Sequence, residues 1–468
     1  MDHRYALLGL LLLAGCSLAP RQAGEERERM EAAGAAYDTP APQRLVADLP
    51  ADAQWRDILR HAFLSNGDLE AAYFAWRAAI ERIDIAAGYP NTNVNVGFEY
   101  LFSGGNLTGW DRTSLAVGFD PMQNLSFPTK VLAAGRVATE DARAAGARFA
   151  AAKFALQRQV LSAWLDYALL AERSRVQREQ LALRRLGAEA AAARVRAGMP
   201  QQDLLMADVE RGHAEHMQLE FDAALAAARA RLNALAGRAA DAPLPPPDLP
   251  APRPLPDDAT LLAAGTRDNP ELAALARDSA SRADALDLAR QQYFPDINPF
   301  VGLTGSVEQV AGMAITLATT IPQIRAGIRE ARATLRGSEA LARQGGLDRD
   351  AAFVAALLAL RSSERQLALL EAHVSPAAAQ AAASAQRAYA AGSGDLATWL
   401  AGQAAVLDLR LTIAETRVAR ERQVAEIEAL AGIDAERLAA TADGAAPPPA
   451  TTGTTDRAEA ARRTGAGS

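Results

Sequence analysis

The densest group of residues that could bind a metal ion lies in the polar stretch 210–217. It contains Glu210, His213, Glu215, His216 and Met217, and the two histidines are three positions apart, so they share one face if the stretch is helical. Imidazole and carboxylate groups are common ligands of Zn²⁺ and related ions. No third strong ligand lies at a matching spacing, and a solvated helical face explains the same residues. We therefore predict no metal site, and His213 and His216 remain weak candidates.

The single cysteine indicates a different chemistry, the attachment of lipid. Arg4 precedes an apolar run over 5–14, which is too short to span a bilayer as a mature helix. The tetrad Leu13-Ala14-Gly15-Cys16 resembles the bacterial lipoprotein processing box, which implies cleavage before Cys16 and acyl chains, including palmitate, on that residue. Ser17 is not the Asp that retains lipoproteins at the inner membrane, which favours the outer membrane. An ordinary signal peptide with a chance cysteine is the alternative.

Composition and motifs argue against an enzyme and against a nucleic-acid-binding protein. The chain has a net charge of -7 and no basic stripe with interleaved aromatic residues, which binding to phosphates would require. It contains no Gly-rich phosphate loop, HExxH sequence or paired His/Cys motif. Only 5% of its residues are aromatic although 50% are hydrophobic, which is typical of long helices packed through small side chains. We expect no catalytic residue and no cofactor.

The chain carries an internal duplication. The 70 positions between Pro128 and Gly198 recur between Pro322 and Gly392. A Leu-Ala-Gly tripeptide follows each of these glycines after a similar interval, and a Pro-rich linker separates the two halves. Such agreement indicates one structural unit used twice. The predicted organisation is a signal peptide at 1–15, a lipidated extended tether at 16–50, a first repeat at 51–237, a linker at 238–257, a second repeat at 258–435 and a disordered tail at 436–468.

Within each repeat the hydrophobic pattern changes in the same order, from a helix to two short strands and then to a long helical hairpin. We predict strands at about 92–102 and 113–127 in the first repeat, and at about 296–304 and 312–321 in the second. Four strands cannot close a barrel, and an open edge in lipid leaves backbone groups unpaired. Three chains would supply 12 strands, within the range of outer-membrane barrels. The alternative is that the aromatic residues near the strand ends are the core of a soluble sheet.

The long hairpins should begin at Pro128 and Pro322 and reverse direction at a glycine. If the 70 positions were fully helical, they would span roughly 105 Å at about 1.5 Å per residue. Gly345-Gly346 and Pro376 are expected to kink or interrupt the second hairpin. Gly198 and Gly392 are typical helix stop signals. Each is followed by an aspartate, Asp203 or Asp395, which we predict to cap the returning helix.

These features together resemble the TolC-type outer-membrane factor family, over about 50–435. The resemblance is carried by the processing box, the duplication, the prolines that begin the hairpins, and two tip patterns. The first tip reads Arg196-Ala197-Gly198 through Asp203-Leu204-Leu205, and the second reads Tyr389-Ala390-Ala391-Gly392 through Leu396 and Leu400. The resemblance implies a mainly α chain with a transmembrane β part. It further implies a trimeric 12-stranded β-barrel, with four strands per chain, continued by a long periplasmic α-helical barrel.

By the same resemblance, the two hairpin tips close the periplasmic end and contact an adaptor protein. A purely structural role as helix caps and turns is the alternative. Many family members carry pore-constricting aspartates just inside the second tip, where this chain has Thr398 and Ala401, so that gate is not expected here. The carried-over tip positions are Arg196, Gly198, Asp203, Leu204, Tyr389, Gly392, Asp395 and Leu396.

The resemblance therefore predicts a passive exit duct in the outer membrane, lipid-anchored and extending into the periplasm. Its expected partners are two further copies of the chain, a periplasmic adaptor protein, an inner-membrane transporter, with the RND type favoured, and outer-membrane lipid. The entry segment 321–331 and Pro376 look similar to the heavy-metal-efflux branch. A type I protein-secretion channel is one alternative, and a poreless periplasmic coiled-coil scaffold is another. The substrate does not follow from the sequence.

Overall fold

The chain folds as two successive copies of one unit, each made of short helices, two strands and a long helical hairpin. The structure is a computed structural model. It describes residues 18–44, 46–89, 92–98, 108, 110–119, 126–198, 200–253, 255–305, 308–317 and 319–433. The predicted signal peptide, Cys16, the tail beyond 435 and parts of the predicted first and second strands lie outside these residues. Among the described residues, no helix combines the length and apolarity needed to cross a membrane.

The two repeats share the order of two helices, two strands and a helical hairpin, but α1 has no counterpart in the second repeat and the first arm of its hairpin is divided. The first repeat comprises α1 (Arg21–Gly34), α2 (Trp55–Ser65), α3 (Gly67–Ala86), β1 (Thr92–Phe98), β2 (Thr113–Phe119), α4 (Pro128–Arg196) and α5 (Gln202–Leu235). The second comprises α6 (Asp258–Ala264), α7 (Pro270–Arg290), β3 (Asp296–Thr304), β4 (Glu308–Thr316), α8 (Ile321–Leu369), α9 (Ser375–Ala390) and α10 (Leu396–Ala431), with a π-helical turn at Leu370–Val374 between α8 and α9.

The four described strands form one antiparallel sheet in the order β1-β2-β3-β4. Its register sorts residue types by face, because successive positions of a strand alternate. Val94, Val117, Val301 and Ala311 are partners across the sheet and belong to one mostly apolar face. The other face carries mainly Asn, Ser, Thr, Gly and Ala, together with Asp296 and Glu308, and its apolar exceptions are Phe300 and Val310.

The strand bounds differ from the predicted ones in two places. β3 coincides with the predicted 296–304, but β4 lies at Glu308–Thr316 rather than 312–321. The apolar alternation continues beyond Thr316 into the connection and the first turn of α8, whereas pairing ends where Asp296 of β3 meets Thr316. The second strand was predicted to reach 127, yet residues 126 and 127 are not in a strand and α4 begins at Pro128.

The long helices follow from abundant alanine and from prolines placed in their first turns. α4 runs unbroken over 69 residues. The predicted interruption at Gly345-Gly346 is wrong, because α8 continues through both residues. A side chain at Gly345 would come within 2.6 Å of Leu275 on α7, so this glycine permits close packing of two helices. The expected break at Pro376 is present as the π-helical turn just before it.

In each repeat, an asparagine side chain joins the end of the hairpin to the helix that precedes the strands. Asn66 caps α3 by accepting from the Leu69 amide at 3.0 Å, and its side-chain amide donates to the Leu235 carbonyl at the end of α5. Asn269 caps α7 and donates to the Leu430 carbonyl at 2.8 Å. The residue that ends each hairpin is a left-handed glycine, and a side chain there would collide with the backbone just before the asparagine. The base of each hairpin is therefore tied to its own unit.

The segment predicted as an extended tether is partly helical. α1 packs on α3 and α4 and buries Ala23, Glu26 and Met30. The Glu26 carboxylate accepts from the Trp76 indole nitrogen at 3.1 Å and pairs with Arg29 at 2.7 Å. A carboxylate on the buried side of a helix hides the amphipathic pattern, which explains why the sequence did not reveal α1.

The Pro-rich linker is held to the second repeat by a buried ionic contact. Arg253, whose side chain is 10% exposed, pairs with Glu421 at 3.0 Å and with Glu428 at 2.7 Å on α10. The guanidinium also lies 5.6 Å from the ring centroid of Trp55 on α2. Arg420 adds a hydrogen bond of 2.9 Å to the Arg253 carbonyl. One linker residue thus contacts both repeats.

We expect Asn269→Ala to destabilise the protein by about 2–4 kcal/mol, since it removes a helix cap and leaves the Leu430 carbonyl unpaired. Asn66→Ala should have an effect of the same size, because its geometry is equivalent. Denaturant unfolding followed by helical circular dichroism measures both. Asp257→Ala is the control, since Asp257 caps only the short helix α6. An equal loss of stability in Asp257→Ala would contradict the importance of the hydrogen bond between the asparagine and the returning helix.

Arg253→Met should cost at most about 3–5 kcal/mol, because it removes a buried guanidinium from Glu421 and Glu428, while Glu421 keeps its pair with Arg420. It should also speed proteolysis within the linker 238–257, which the guanidinium holds in place. The matched control is Arg173→Met, since the Arg173–Glu415 pair is largely exposed and should be worth at most about 1 kcal/mol. Linker cleavage at the wild-type rate in Arg253→Met would disprove this role.

Candidate functional site at the hairpin tips

The first hairpin reverses at a left-handed glycine. α4 ends at Arg196, and Gly198 adopts φ +92° while its amide donates to the Val195 carbonyl at 3.0 Å. The predicted cap at Asp203 is wrong, because Asp203 is the second residue of α5 and Gln201 holds the N-cap position without a side-chain cap. An acidic residue in the first helical turn still interacts favourably with the helix dipole. Leu204 follows it in the same turn.

The second tip has a similar turn but a different set of contacts. Gly392 adopts φ +71°, and the amides of Ser393 and Gly394 both donate to the Ala388 carbonyl at 3.0 Å. Asp395 is the N-cap of α10, as predicted, and its carboxylate accepts from the Thr398 amide at 2.6 Å. In both tips the returning helix begins four residues after the glycine, at Gln202 and at Leu396.

An aromatic pair closes the second tip. Tyr389, in the last turn of α9, stacks on Trp399 of α10 with ring centroids 5.4 Å apart and planes 13° apart. Leu396, the first residue of α10, is buried, whereas Tyr389 is half-exposed. The sequence patterns identified Tyr389 but not Trp399, whose position ten residues further on is unremarkable without the hairpin geometry. Stacked rings of this kind contribute about 0.5–1.5 kcal/mol beyond their buried area.

The Asp395 carboxyl is kept ionised mainly by its contacts with Thr398. The hydrogen bond from the Thr398 amide holds the pKa of the Asp395 carboxyl below its usual range, and the positive charge of Arg194 on α4 acts in the same direction. Thr398 and Ala401 occupy the positions where an aspartate gate was judged absent. Asp395 therefore contributes its negative charge at the turn itself, one helical turn before Thr398.

Cross-repeat contacts join α4 to α10 along much of their length. They include Arg158–Glu426 at 2.7 Å, Arg173–Glu415 at 2.6 Å and Arg410–Glu172 at 2.6 Å. Toward the tips, the bond from Gln180 to Asp408, 2.7 Å long, is the last hydrogen bond or ion pair between these two helices among the residues that the structure describes. Beyond it, the contacts between the described residues of α4 and α10 include the apolar approach of Leu400 to Gly187.

A groove of about 820 Å³ opens between the two hairpins just beyond that last bond. We call it the tip groove. Its floor is built from small side chains on α4 and α10, and its rim carries Arg184, Arg194, Glu210 and Asp408. A narrow apolar floor with charged edges suits an inserted helix, because small residues allow close approach and the edges pair with polar groups.

The remaining predicted positions lie elsewhere. Pro128 begins α4 and Pro322 is the second residue of α8, both at the junction with the sheet. His213 and His216 are exposed on α5, and His216 lies 3.3 Å from Glu220. Arg184 pairs with Glu210, while Arg185 and Arg211 pair with Glu215, so arginines occupy both carboxylates. Within the described ranges no group of three or more His, Cys, Asp or Glu residues could hold a metal ion.

Comparison with solved structures identifies the fold. The chain is similar to the outer membrane protein VceC of Vibrio cholerae (TM-score 0.66, 17% identity, 81% of this chain and 96% of that one). It is similar to the CmeC outer membrane channel of Campylobacter jejuni (0.65, 11%, 86% and 92%). It is also similar to the open MtrE outer membrane channel of Neisseria gonorrhoeae (0.65, 19%, 81% and 89%). Protein-family models and curated protein sequences give no match. The expected TolC-type fold is confirmed.

The Asp395 cap makes the second tip sensitive to pH. Because folding lowers the pKa of this carboxyl, its stabilising effect is present above the unfolded-state pKa and is lost as the pH falls through the folded-state value. We expect the protection factors of the amides at Leu396–Trp399, which are corrected for the intrinsic pH dependence of exchange, to fall on acidification in the wild type. Asp395→Asn should retain the cap and lose this pH dependence. Asp395→Ala should show low protection factors at every pH, and wild-type protection in that variant would contradict the cap's role.

Proposed function

We propose that this chain, which has the fold of outer-membrane channels, is one subunit of the trimeric exit duct of a tripartite efflux system. The duct is passive, and the transporter in the inner membrane supplies the energy. The observation that carries this proposal is the sheet. Among the described residues, its apolar face carries exposed side chains such as Met313 and Ile315, and its outer strands β1 and β4 each pair with one neighbour only.

The two faces of the sheet suit lipid on one side and water on the other. On the apolar face of β4, Met313 is 57% exposed and Ile315 is 54% exposed. On the opposite face the partners of β3 are mostly small or polar residues. Alternation of apolar residues outward and polar residues inward is typical of outer-membrane strands. We infer that the apolar face contacts lipid and that the other face lines the channel.

Residues at the junction of sheet and helices suit the surface of a membrane. Phe127 and Phe294 stack with centroids 6.0 Å apart, and both are exposed. Lys130 pairs with Asp296 at 2.8 Å next to them. Aromatic residues are enriched at both interfaces of membrane barrels. The Leu18 amide donates to the Ala87 carbonyl, just before β1, so an acylated Cys16 two residues earlier would reach the lipid at the same level.

We infer closure into a trimer from the exposed apolar side chains on the two outer helices of the subunit. The helices lie in the order α5, α4, α10, α8, so α5 and α8 are the outer ones. Both expose large apolar side chains on the outside, among them Val209 and Leu219 on α5 and Leu347 and Leu358 on α8. Two different surfaces that need partners favour head-to-tail association, which closes into a ring. Three copies supply 12 strands, within the range of outer-membrane barrels.

The hairpin tips are the proposed contact for a periplasmic adaptor protein. The tip groove offers an apolar floor to an inserted helix, and cross-repeat bonds end before it, which leaves the tips free to separate. The residues assigned to this contact are Arg196, Gly198, Asp203, Leu204, Tyr389, Gly392, Asp395 and Leu396.

A type I protein-secretion duct would share this geometry, because a wide passive tube carries little recognition chemistry. The sheet argues against a poreless scaffold, which would have no use for an uncovered apolar face. We favour efflux with a transporter of the RND type, a choice that rests on the entry segment 321–331 and on Pro376. Nothing in the duct requires a cofactor or a catalytic residue.

A pair of neighbouring substitutions tests which face meets lipid. Met313→Lys should prevent assembly in the outer membrane, because Met313 lies near the middle of β4 and lysine at a lipid-facing position costs about 2–4 kcal/mol near the midplane. Ala314→Lys, one residue later on the other face, should assemble and change ion selectivity. Migration of unboiled protein on gels and conductance in planar bilayers measure both effects. Equal outcomes for the two variants, or a non-conducting monomeric wild type, would overturn the proposal.

Cys16→Ser provides a separate check on the anchor. It should abolish labelling with palmitate, while the extracted trimers keep their conductance. Labelling that persists in this variant would show that the thiol is not the site of lipid attachment.

A further inference from the structure

The polar face of the sheet carries an apolar patch that its neighbours leave open. We propose that Phe300 and Val310 form a platform on the channel wall that binds aromatic organic cations in transit. This inference rests on the proposed function, because it takes the polar face to line the lumen. We call the two residues the wall platform.

Register places both residues on the polar face. Phe300 of β3 pairs with Gly118 of β2 on one side and with Gly312 of β4 on the other. Val310 pairs with Gly302, which makes it the diagonal neighbour of Phe300 across the same two strands. Residues in such diagonal positions are close enough for an aromatic side chain to reach. Phe300 is 43% exposed and Val310 is 38% exposed.

Glycine neighbours hold the Phe300 ring against the sheet. A Cβ at Gly312 would lie 2.6 Å from Cζ of Phe300, so the ring occupies the space that any side chain there would need. The aromatic surface therefore lies along the wall and stays accessible from one side. A ring in this orientation offers its surface to a solute without narrowing the passage.

A structural reading of the same contact is that the ring shields a glycine within the sheet. If shielding were the only role of Phe300, replacing it would change assembly or stability, but it would not change how strongly different solutes block the channel. The exposed fraction of Phe300 favours the additional role of solute binding. A ring that only covered a glycine would be more stable if it were fully buried. The two roles can be separated by a readout that depends on the solute.

The chemistry of the face selects the class of solute. Aromatic rings pair with other rings and attract cations over their surface. On the same face, Asp296 is paired with Lys130, so its charge is compensated. The open aromatic ring of Phe300 therefore selects the solute, and it favours flat organic cations over anions and over aliphatic cations.

The test is block of single-channel current by ethidium, with tetraethylammonium as a non-aromatic cation of like charge. The wild type should show ethidium block, and Phe300→Ala should weaken it by about 3- to 10-fold, in line with the loss of one aromatic contact. Block by tetraethylammonium should not change. Val301→Ala, on the opposite face of β3, should behave as the wild type.

Ethidium block of equal strength in Phe300→Ala and the wild type would overturn the platform while leaving the channel proposal intact. A wild type that forms no channel would overturn both. If Phe300→Ala fails to assemble, Phe300→Leu keeps an apolar cover over Gly312 and removes the ring. Loss of ethidium block in Phe300→Leu supports the platform, and undiminished block refutes it.

Discussion

A hydrogen bond from an asparagine side chain to the end of a returning helix closes each half of this protein. A hairpin built on a helix of 69 residues has little tertiary contact near its tip, so its geometry depends on how its base is fixed. The side chains of Asn66 and Asn269 fix the two bases. Each side chain caps one helix and donates its amide to a terminal carbonyl of another. The glycine that ends each hairpin allows the close approach this requires. Because both repeats use the same contact, the two hairpins leave their bases in equivalent ways.

The linker adds a buried contact between two units that also pack through α4 against α7 and α10. Arg253 contacts an indole of the first repeat and two carboxylates of the second, all within a largely buried site. Buried ion pairs add little net stability compared with apolar packing, but they tolerate few alternative arrangements. The exposed ladder between α4 and α10 is weaker at each step and ends before the tips. The bundle is therefore firmly joined at the base and loosely joined where the tip groove opens.

The helical fold could be predicted from the sequence largely because its signals are local. Prolines begin the long helices, glycines end them, and the equal spacing of 70 positions follows from the shared hairpin. The predictions that failed concerned elements whose contacts are made with residues distant in the chain. The end of β4 is set by its pairing with β3, which the apolar alternation does not report. α1 was missed because its buried face includes Glu26, and the carboxylate becomes acceptable only beside Trp76.

At the hairpin tips, too, local signals could be recognised in the sequence, whereas contacts between distant residues could not. Both returning helices begin four residues after the glycine, which places Asp395 at the cap and Asp203 inside the first turn. An aspartate after a glycine was therefore an ambiguous signal, and the interval between them decided its role. The Tyr389–Trp399 stack and the tip groove needed two helices to be brought together before they could be recognised. The sheet poses the opposite problem, because its alternation was readable while its partners are not within the chain. We propose that lipid covers the apolar face and that further copies of the chain pair with the edge strands β1 and β4, because unpaired backbone groups in lipid are costly.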